Sequence, residues 1–128
     1  MYIYNIGIDI IERLRVEKLI EKNPDVIRRL CTDDEQKQLA GCTVFERYIT
    51  ACARFFVLKE SVMKACGIGW QEGVSWQDIS VQNTLQCQTP VLHGQLSVQV
   101  GKHAIKKIIA NVCGDSSLVA AHAYALSW

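Results

Sequence analysis

Two acidic residues far apart in the chain are the first candidates for chemistry. Asp9 lies within the run MYIYNIGIDII, where a carboxylate among apolar neighbours suffers desolvation unless a cation, a proton or hydrogen-bond donors meet it. A strand-end Asp also caps a following helix, and both readings stay open. Glu60 and Lys64 stand at i and i+4 with the acid first, an ion pair worth ~0.3 kcal/mol, and on a solvated helix face that pair is their whole role. Arg15, Lys18 and Lys22 fall at i, i+3 and i+7. Such a stripe is either a solvated face tempered by Glu17 and Glu21 or a docking surface for an acidic partner. His93, His103 and His122 share no metal-ligand spacing and read as surface or sheet residues, and no Walker loop, Rossmann glycine fingerprint or Gly-x-Ser-x-Gly elbow occurs.

The elements that must position these residues are visible as changes of period. Residues 2–11 form a β-branched and aromatic run with weak alternation, which predicts a central strand buried on both sides. Helical spacing follows from Glu12 to Lys22, with Val16, Leu19 and Ile20 on one side, and Pro24 closes that helix or opens the next. Ile27 and Leu30 suggest a short helix carrying Arg28 and Arg29, and Thr32 with Glu35 three residues on is a capping-box signature for another. The longest periodic segment, Phe45 to Cys66, is the expected core helix, with Val57, Glu60, Ser61 and Lys64 on its other side and Gly67-Ile68-Gly69 ending it. Trp76–Gln82 reads as a half-alternating strand that continues, after a turn at Thr89-Pro90, in Val91-Leu92. Residues 95–103 fit a strand or a short helix. Ile105–Val112 and Leu118–Leu126 predict a hairpin across Gly114-Asp115-Ser116-Ser117. This order, β, helices, long helix, then mostly β, predicts an α+β domain with helices packed on one sheet.

Composition narrows the class. A chain of 128 residues, 49% hydrophobic and 21% charged, is one domain with enough core to need neither metal nor disulfides for stability. With 14 Lys+Arg against 13 Asp+Glu, bulk charge excludes a nucleic-acid binder of the basic kind, so an electrostatic partner must meet a local patch. Six cysteines without a Cys-x-x-Cys pair read as buried apolar residues of a reducing compartment rather than a zinc or redox motif. The apolar opening has no basic leader, no cleavage site and too little length to span a membrane, so a cytoplasmic location with no membrane partner is expected.

Three segments in order carry a family pattern: Gly7-Ile8-Asp9-Ile10-Ile11-Glu12, then Lys59-Glu60-Ser61-Val62-Met63-Lys64-Ala65-Cys66-Gly67-Ile68-Gly69, then Trp76-Gln77-Asp78-Ile79-Ser80-Val81. Together they resemble the holo-acyl-carrier-protein synthase family of phosphopantetheinyl transferases, whose pattern is Gly-Φ-Asp-Ile-Φ-Glu, Lys-Glu-(Ala/Ser)-x-x-Lys-Ala-x-Gly-x-Gly, and an aromatic residue shortly before Asp-Ile-x-Val. Pro90-Val91-Leu92-His93-Gly94 resembles the strand after that family's Gly-Lys-Pro turn, so the likeness spans nearly the whole chain.

The resemblance implies a 4′-phosphopantetheinyl transferase fold, an antiparallel sheet packed against a long core helix and shorter helices, in a single domain over 1–128. It implies Mg²⁺-dependent transfer of 4′-phosphopantetheine from coenzyme A to a serine of an apo-acyl carrier protein, releasing adenosine 3′,5′-bisphosphate, in fatty acid biosynthesis. It also implies a homotrimer with sites between subunits. Asp9 and Glu60 match the metal ligands, and Mg²⁺ favours a few carboxylates plus phosphate oxygens and water. Lys64 matches the phosphate-contacting lysine, with Lys59 acting nearby, and Glu60 is the base for the serine hydroxyl. Gly67, Ile68 and Gly69 correspond to the loop under the nucleotide, where missing side chains allow close backbone approach. Arg15 matches the arginine that meets the carrier protein, and Lys18 and Lys22 extend that surface.

Two departures accompany the match. The penultimate-strand Ser-x-Ser-His is replaced by Asn111-Val112-Cys113-Gly114-Asp115, with Asn111 or Asp115 as partial substitutes, and Phe55 occupies the place of a helix arginine while Arg54 stands one residue early. The expectation is a divergent but active transferase. The alternatives are a catalytically impaired member that binds an acyl carrier protein, and a protein of this fold with no carrier link, in which Asp9 and Glu60 merely cap and pair.

Overall fold

A computed structural model describes residues 1–69 and 73–128. The first strand, β1 (Tyr2–Glu12), leads into α1 (Arg13–Lys22), α2 (Val26–Leu30), α3 (Asp33–Ala40) and the long helix α4 (Phe45–Cys66). A single 3₁₀ turn (Trp76–Asp78) then precedes the short strands β2 (Ile79–Ser80), β3 (Cys87–Gln88) and β4 (Val91–Leu92), helix α5 (Gly94–Gly101), and the hairpin of β5 (Lys107–Gly114) and β6 (Leu118–Ser127). Four strands form an antiparallel sheet in the order β1-β6-β5-β3, and β2 pairs with β4 in a separate two-stranded ladder. The α+β architecture expected from the sequence is the one observed, and the ambiguous stretch after His93 is helical.

Helix α4 is the centre of the domain. Cys52, Phe55, Val62 and Ala65 are buried on it, and so are Lys59 and, of the residues assigned to its other side, Val57 and Ser61. The sheet covers one flank of α4 and α1, α2 and α3 cover the other, so the helix is enclosed nearly all round. Its C-terminal turn closes on Gly67 in the left-handed region (φ 69°), a conformation that a β-carbon disfavours.

Strand β1 departs from expectation. It is an edge strand, and only its inward residues, such as Gly7 and Ile11, are covered by the chain. On the opposite face Tyr4, Ile6, Ile8 and Ile10 are exposed, Ile8 to 64% and Ile10 to 61%. Weak alternation reported that both faces are apolar, but it does not say whether this chain or another molecule covers them. Gly7 faces Ser61, Lys64 and Ala65 of α4; a β-carbon built there would collide with the Ser61 carbonyl and come within 2.6 Å of the Ala65 nitrogen.

Of the six cysteines, all free, Cys31, Cys52 and Cys66 are buried as expected, whereas Cys87 and Cys113 are exposed and Cys42 is half-buried. No helix among the described residues is long and apolar enough to cross a membrane.

Candidate active site

Strand β1 and helix α4 converge on a cleft of about 700 Å³ whose walls include Asp9, Glu60, Trp76 and the Arg15, Lys18 and Lys22 stripe of α1. All three basic residues project from one side of α1 because their spacing is helical, while Val16 anchors the opposite side in the core. Arg29 of α2 joins the same wall, a basic residue that spacing on α1 alone could not have indicated.

Asp9 does not cap α1: Glu12 is the cap residue and makes no side-chain cap bond. Asp9 instead meets Lys64, whose Nζ donates to Asp9 Oδ1 at 3.1 Å and to the Ile8 carbonyl at 3.0 Å. The pair is partly wet, with side-chain exposures of 18% for Asp9 and 50% for Lys64. The i, i+4 partnership of Glu60 with Lys64 is thus replaced by a contact across to the strand. Glu60 accepts a hydrogen bond from the Trp76 indole Nε1 at 2.9 Å. Burial pushes the Glu60 carboxyl above the usual carboxylate range; the indole N–H pulls it back, the charge of Asp9 adds to the rise, and Lys64 opposes it. Asp9 and Glu60 therefore feel each other's charge across the cleft.

Two carboxylates with a lysine beside them suit a hard divalent cation that takes its remaining oxygens from phosphate and water. No cluster of three or more His, Cys, Asp or Glu side chains arranged for a metal occurs among the described residues, so a protein cage of the zinc type does not form there.

Lys59, expected near a coenzyme, directs its ammonium into the core rather than into the cleft. It is fully buried, and its Nζ donates to Glu35 Oε1 at 2.5 Å, to the Leu30 carbonyl at 2.7 Å and to the Trp76 carbonyl at 3.2 Å. Burial drives its ammonium below the usual lysine range and Glu35 opposes that shift. Glu35 closes the capping box of α3 through Thr32 and accepts from the Val81 backbone N–H at 2.9 Å. The capping box was legible in the sequence; its second use as the counter-ion of Lys59 was not.

Gly67, Ile68 and Gly69 follow Lys64 at the end of α4 and are not part of the cleft wall. Gly67 and Gly69 have φ of 69° and 71°, so backbone conformation accounts for them, and a β-carbon at Gly69 would meet nothing within 4 Å.

The two departures from the family pattern are also placed. Phe55 is fully buried, and Arg54 Nε donates to the Asn83 carbonyl at 2.5 Å. Arg54 shares a second cavity, of about 530 Å³, with Arg47 and Asp115. Asp115 Oδ1 accepts from Ser117 N, Ser117 Oγ and Leu118 N, which serves the β5–β6 turn and holds its carboxyl below the usual range. Asn111 stands in β5 opposite Cys87 and His122.

Known proteins agree with this architecture. The model of the 4′-phosphopantetheinyl transferase superfamily matches residues 5–120. A holo-[acyl-carrier-protein] synthase of Solibacter usitatus is 35% identical over 119 residues, covering 91% of this chain and 92% of that protein. Its counterpart from Geobacter sulfurreducens is 37% identical over 95 residues, 73% of each chain. Among solved structures, the holo-ACP-synthase of Plasmodium yoelii superposes with a TM-score of 0.83 at 23% identity, over 99% of this chain and 97% of that one. The Bacillus anthracis holo-(acyl-carrier-protein) synthase in complex with CoA (3′,5′-ADP) gives 0.75 at 28% identity, over 98% of both chains. With its α4 carboxylate and β1 aspartate facing one cleft, the chain belongs to the 4′-phosphopantetheinyl transferase superfamily, in its holo-[acyl-carrier-protein] synthase family.

Proposed function

We propose that this protein transfers the 4′-phosphopantetheine arm of coenzyme A to a serine hydroxyl of an apo-acyl carrier protein and releases adenosine 3′,5′-bisphosphate. The observation that carries the reading is the convergence of Asp9, with Lys64 paired to it, and Glu60 at a cleft that Asp9 and Glu60 line together with the basic side of α1. The coenzyme A complex of the Bacillus anthracis relative supports coenzyme A as donor.

Asp9 and Glu60 are the residues that would hold Mg²⁺, which when bound draws negative charge from the diphosphate. Lys64, itself half exposed and paired only with Asp9 across the strand, contributes a cation for phosphate oxygens. The serine oxygen forms a bond to the phosphorus that carries the pantetheine arm while the bond to the adenosine bisphosphate oxygen breaks. The serine proton passes to Glu60, directly or through one water. Gly67, Ile68 and Gly69 provide the backbone on which the nucleotide lies. Arg15, Lys18 and Lys22 receive the acidic carrier protein, where complementarity speeds encounter despite a net charge of +1.

The same reading includes a homotrimer with sites between subunits, supported by the uncovered Ile6, Ile8 and Ile10 face of β1. It also places the reaction in fatty acid biosynthesis in the cytoplasm, where buried thiols such as Cys31, Cys52 and Cys66 persist. Incubation with coenzyme A, Mg²⁺ and an apo-carrier protein is expected to add phosphopantetheine to the carrier serine, read by mass spectrometry. Stable carrier binding with no adduct on any carrier of the source organism would support the catalytically impaired alternative and overturn this one.

A further inference from the structure

We infer that Trp76 is a positioning residue for Glu60: its indole N–H holds one carboxylate oxygen and so turns the other toward the cleft. This rests on the reading of Glu60 as a ligand of the divalent ion. The family pattern requires only an aromatic residue shortly before Asp-Ile-x-Val, and a phenyl ring would meet the packing demand. Trp76 packs on Phe56 with ring centroids 6.1 Å apart and planes at 49°. What tryptophan adds is a donor, and that donor reaches Glu60 Oε1 at 2.9 Å.

The turn that carries Trp76 is anchored from three directions. Its carbonyl accepts from the buried Lys59 Nζ at 3.2 Å, one residue before Glu60 on α4. The next residue, Gln77, donates through Nε2 to the Arg28 carbonyl at 2.6 Å, tying the turn to α2. Asp78 accepts from the Leu96 backbone N–H through Oδ2 at 3.2 Å and, through its carbonyl, from His93 N at 2.7 Å, tying the turn to α5 and its approach. An indole held this way needs little reorganisation to orient a carboxylate. Outer partners of this kind fix which oxygen a ligand presents, and their loss costs metal affinity. The Lys59–Glu35 pair acquires a role in the site through this path, since it fixes the backbone of the residue that aims Glu60.

The test uses the full chain and Mn²⁺ alone as probe, with binding followed by electron paramagnetic resonance and by line broadening of amide signals around Asp9. W76F keeps the aromatic packing and removes the donor; it is expected to weaken Mn²⁺ binding about tenfold. E60A is expected to weaken it at least as much, and W76F/E60A to match E60A alone, because the indole acts only through that carboxylate. In the metal-free chain the Trp76 indole ¹⁵N–¹H signal is expected to move upfield in E60A, a readout that does not require W76F to fold. Unchanged Mn²⁺ affinity in W76F, with E60A impaired, would overturn the role of Trp76 and leave the metal reading standing. Equal Mn²⁺ affinity in E60A and the parent chain would overturn both. An indole signal indifferent to E60A would also refute the proposal, since the hydrogen bond on which it rests would be absent in solution.

Discussion

Lys59 offers the sharpest separation between a residue that contacts a ligand and one that holds the fold. It is fully buried among Glu35 Oε1 and the Leu30 and Trp76 carbonyls. Replacing it with methionine keeps the apolar stem but strands the Glu35 carboxylate without its cation and two carbonyls without their donor. Breaking a buried ion pair from one side costs about 3–5 kcal/mol. Glu35 retains the Thr32 and Val81 N–H donors, which keeps the loss near the middle of that span. With a urea slope of about 2 kcal/mol per molar for a chain of this size, the unfolding midpoint of K59M should fall by about 2 M. Adding E35Q removes the uncompensated charge while keeping an acceptor for the α3 cap, so E35Q/K59M should recover about half of the loss. The assay is urea denaturation followed by circular dichroism, run beside coenzyme A binding by calorimetry. A loss below 1 kcal/mol in K59M, accompanied by a tenfold or greater fall in coenzyme A affinity, would refute the reasoning and return Lys59 to the ligand.

Four further outcomes are expected of the same structure. D9N should abolish Mg²⁺-dependent phosphopantetheine transfer, scored by mass spectrometry of the carrier, yet change stability by less than about 1 kcal/mol, because its partner Lys64 is half exposed. R15E/K18E/K22E should raise KM for the carrier protein at least about tenfold and flatten its dependence on ionic strength, with kcat at saturation little changed; an unaltered KM would return the stripe to a solvated face. Burial pushes the Cys31, Cys52 and Cys66 thiols from 9.0 up to about 12; the unfolded chain therefore binds fewer protons above pH 9, and each thiol should lower stability by up to about 1.4 kcal/mol per pH unit from there to about pH 12, a fall that urea midpoints taken from pH 8 upward would expose. G7A should destabilise the fold by about 2 kcal/mol or more and lower the melting temperature, because the new methyl meets backbone atoms of α4 rather than a flexible side chain.

Local rules carried the sequence reading a long way. The period of 3.6 set the bounds of α4 at Phe45 and Cys66 as observed, and the Thr32–Glu35 spacing marked the cap of α3. The hairpin of β5 and β6 was visible in two apolar runs around a turn rich in Gly, Asp and Ser. Properties that depend on what lies opposite in space were not visible. The same burial that makes Lys59 a structural cation is produced by α2, α3 and the Trp76 turn, three segments whose approach no periodicity announces. Apolar residues on both sides of β1 predict a central strand, whereas the strand lies at the edge, because composition reports apolarity and not coverage.

The Gly7-Ile8-Asp9 segment shows how a short motif becomes chemistry. Side chains alternate along a strand, so positions 7, 9 and 11 share the inward face, while Ile8 and Ile10 point away from α4 and are exposed. At position 7 the strand comes so close to α4 that a β-carbon would strike the helix backbone at Ser61 and Ala65. Two residues further on, the same face carries Asp9 against Lys64, one helical turn from Glu60. The glycine sets the distance of approach, the strand period sets the face, and the helix period brings Phe56, Glu60 and Lys64 into one line that Asp9 meets at Lys64 and Trp76 meets at Phe56 and Glu60. A side chain at position 7 would push β1 outward and carry Asp9 away from Lys64 and Glu60, so the requirement for glycine there and for aspartate two residues later is a single geometric condition on the site.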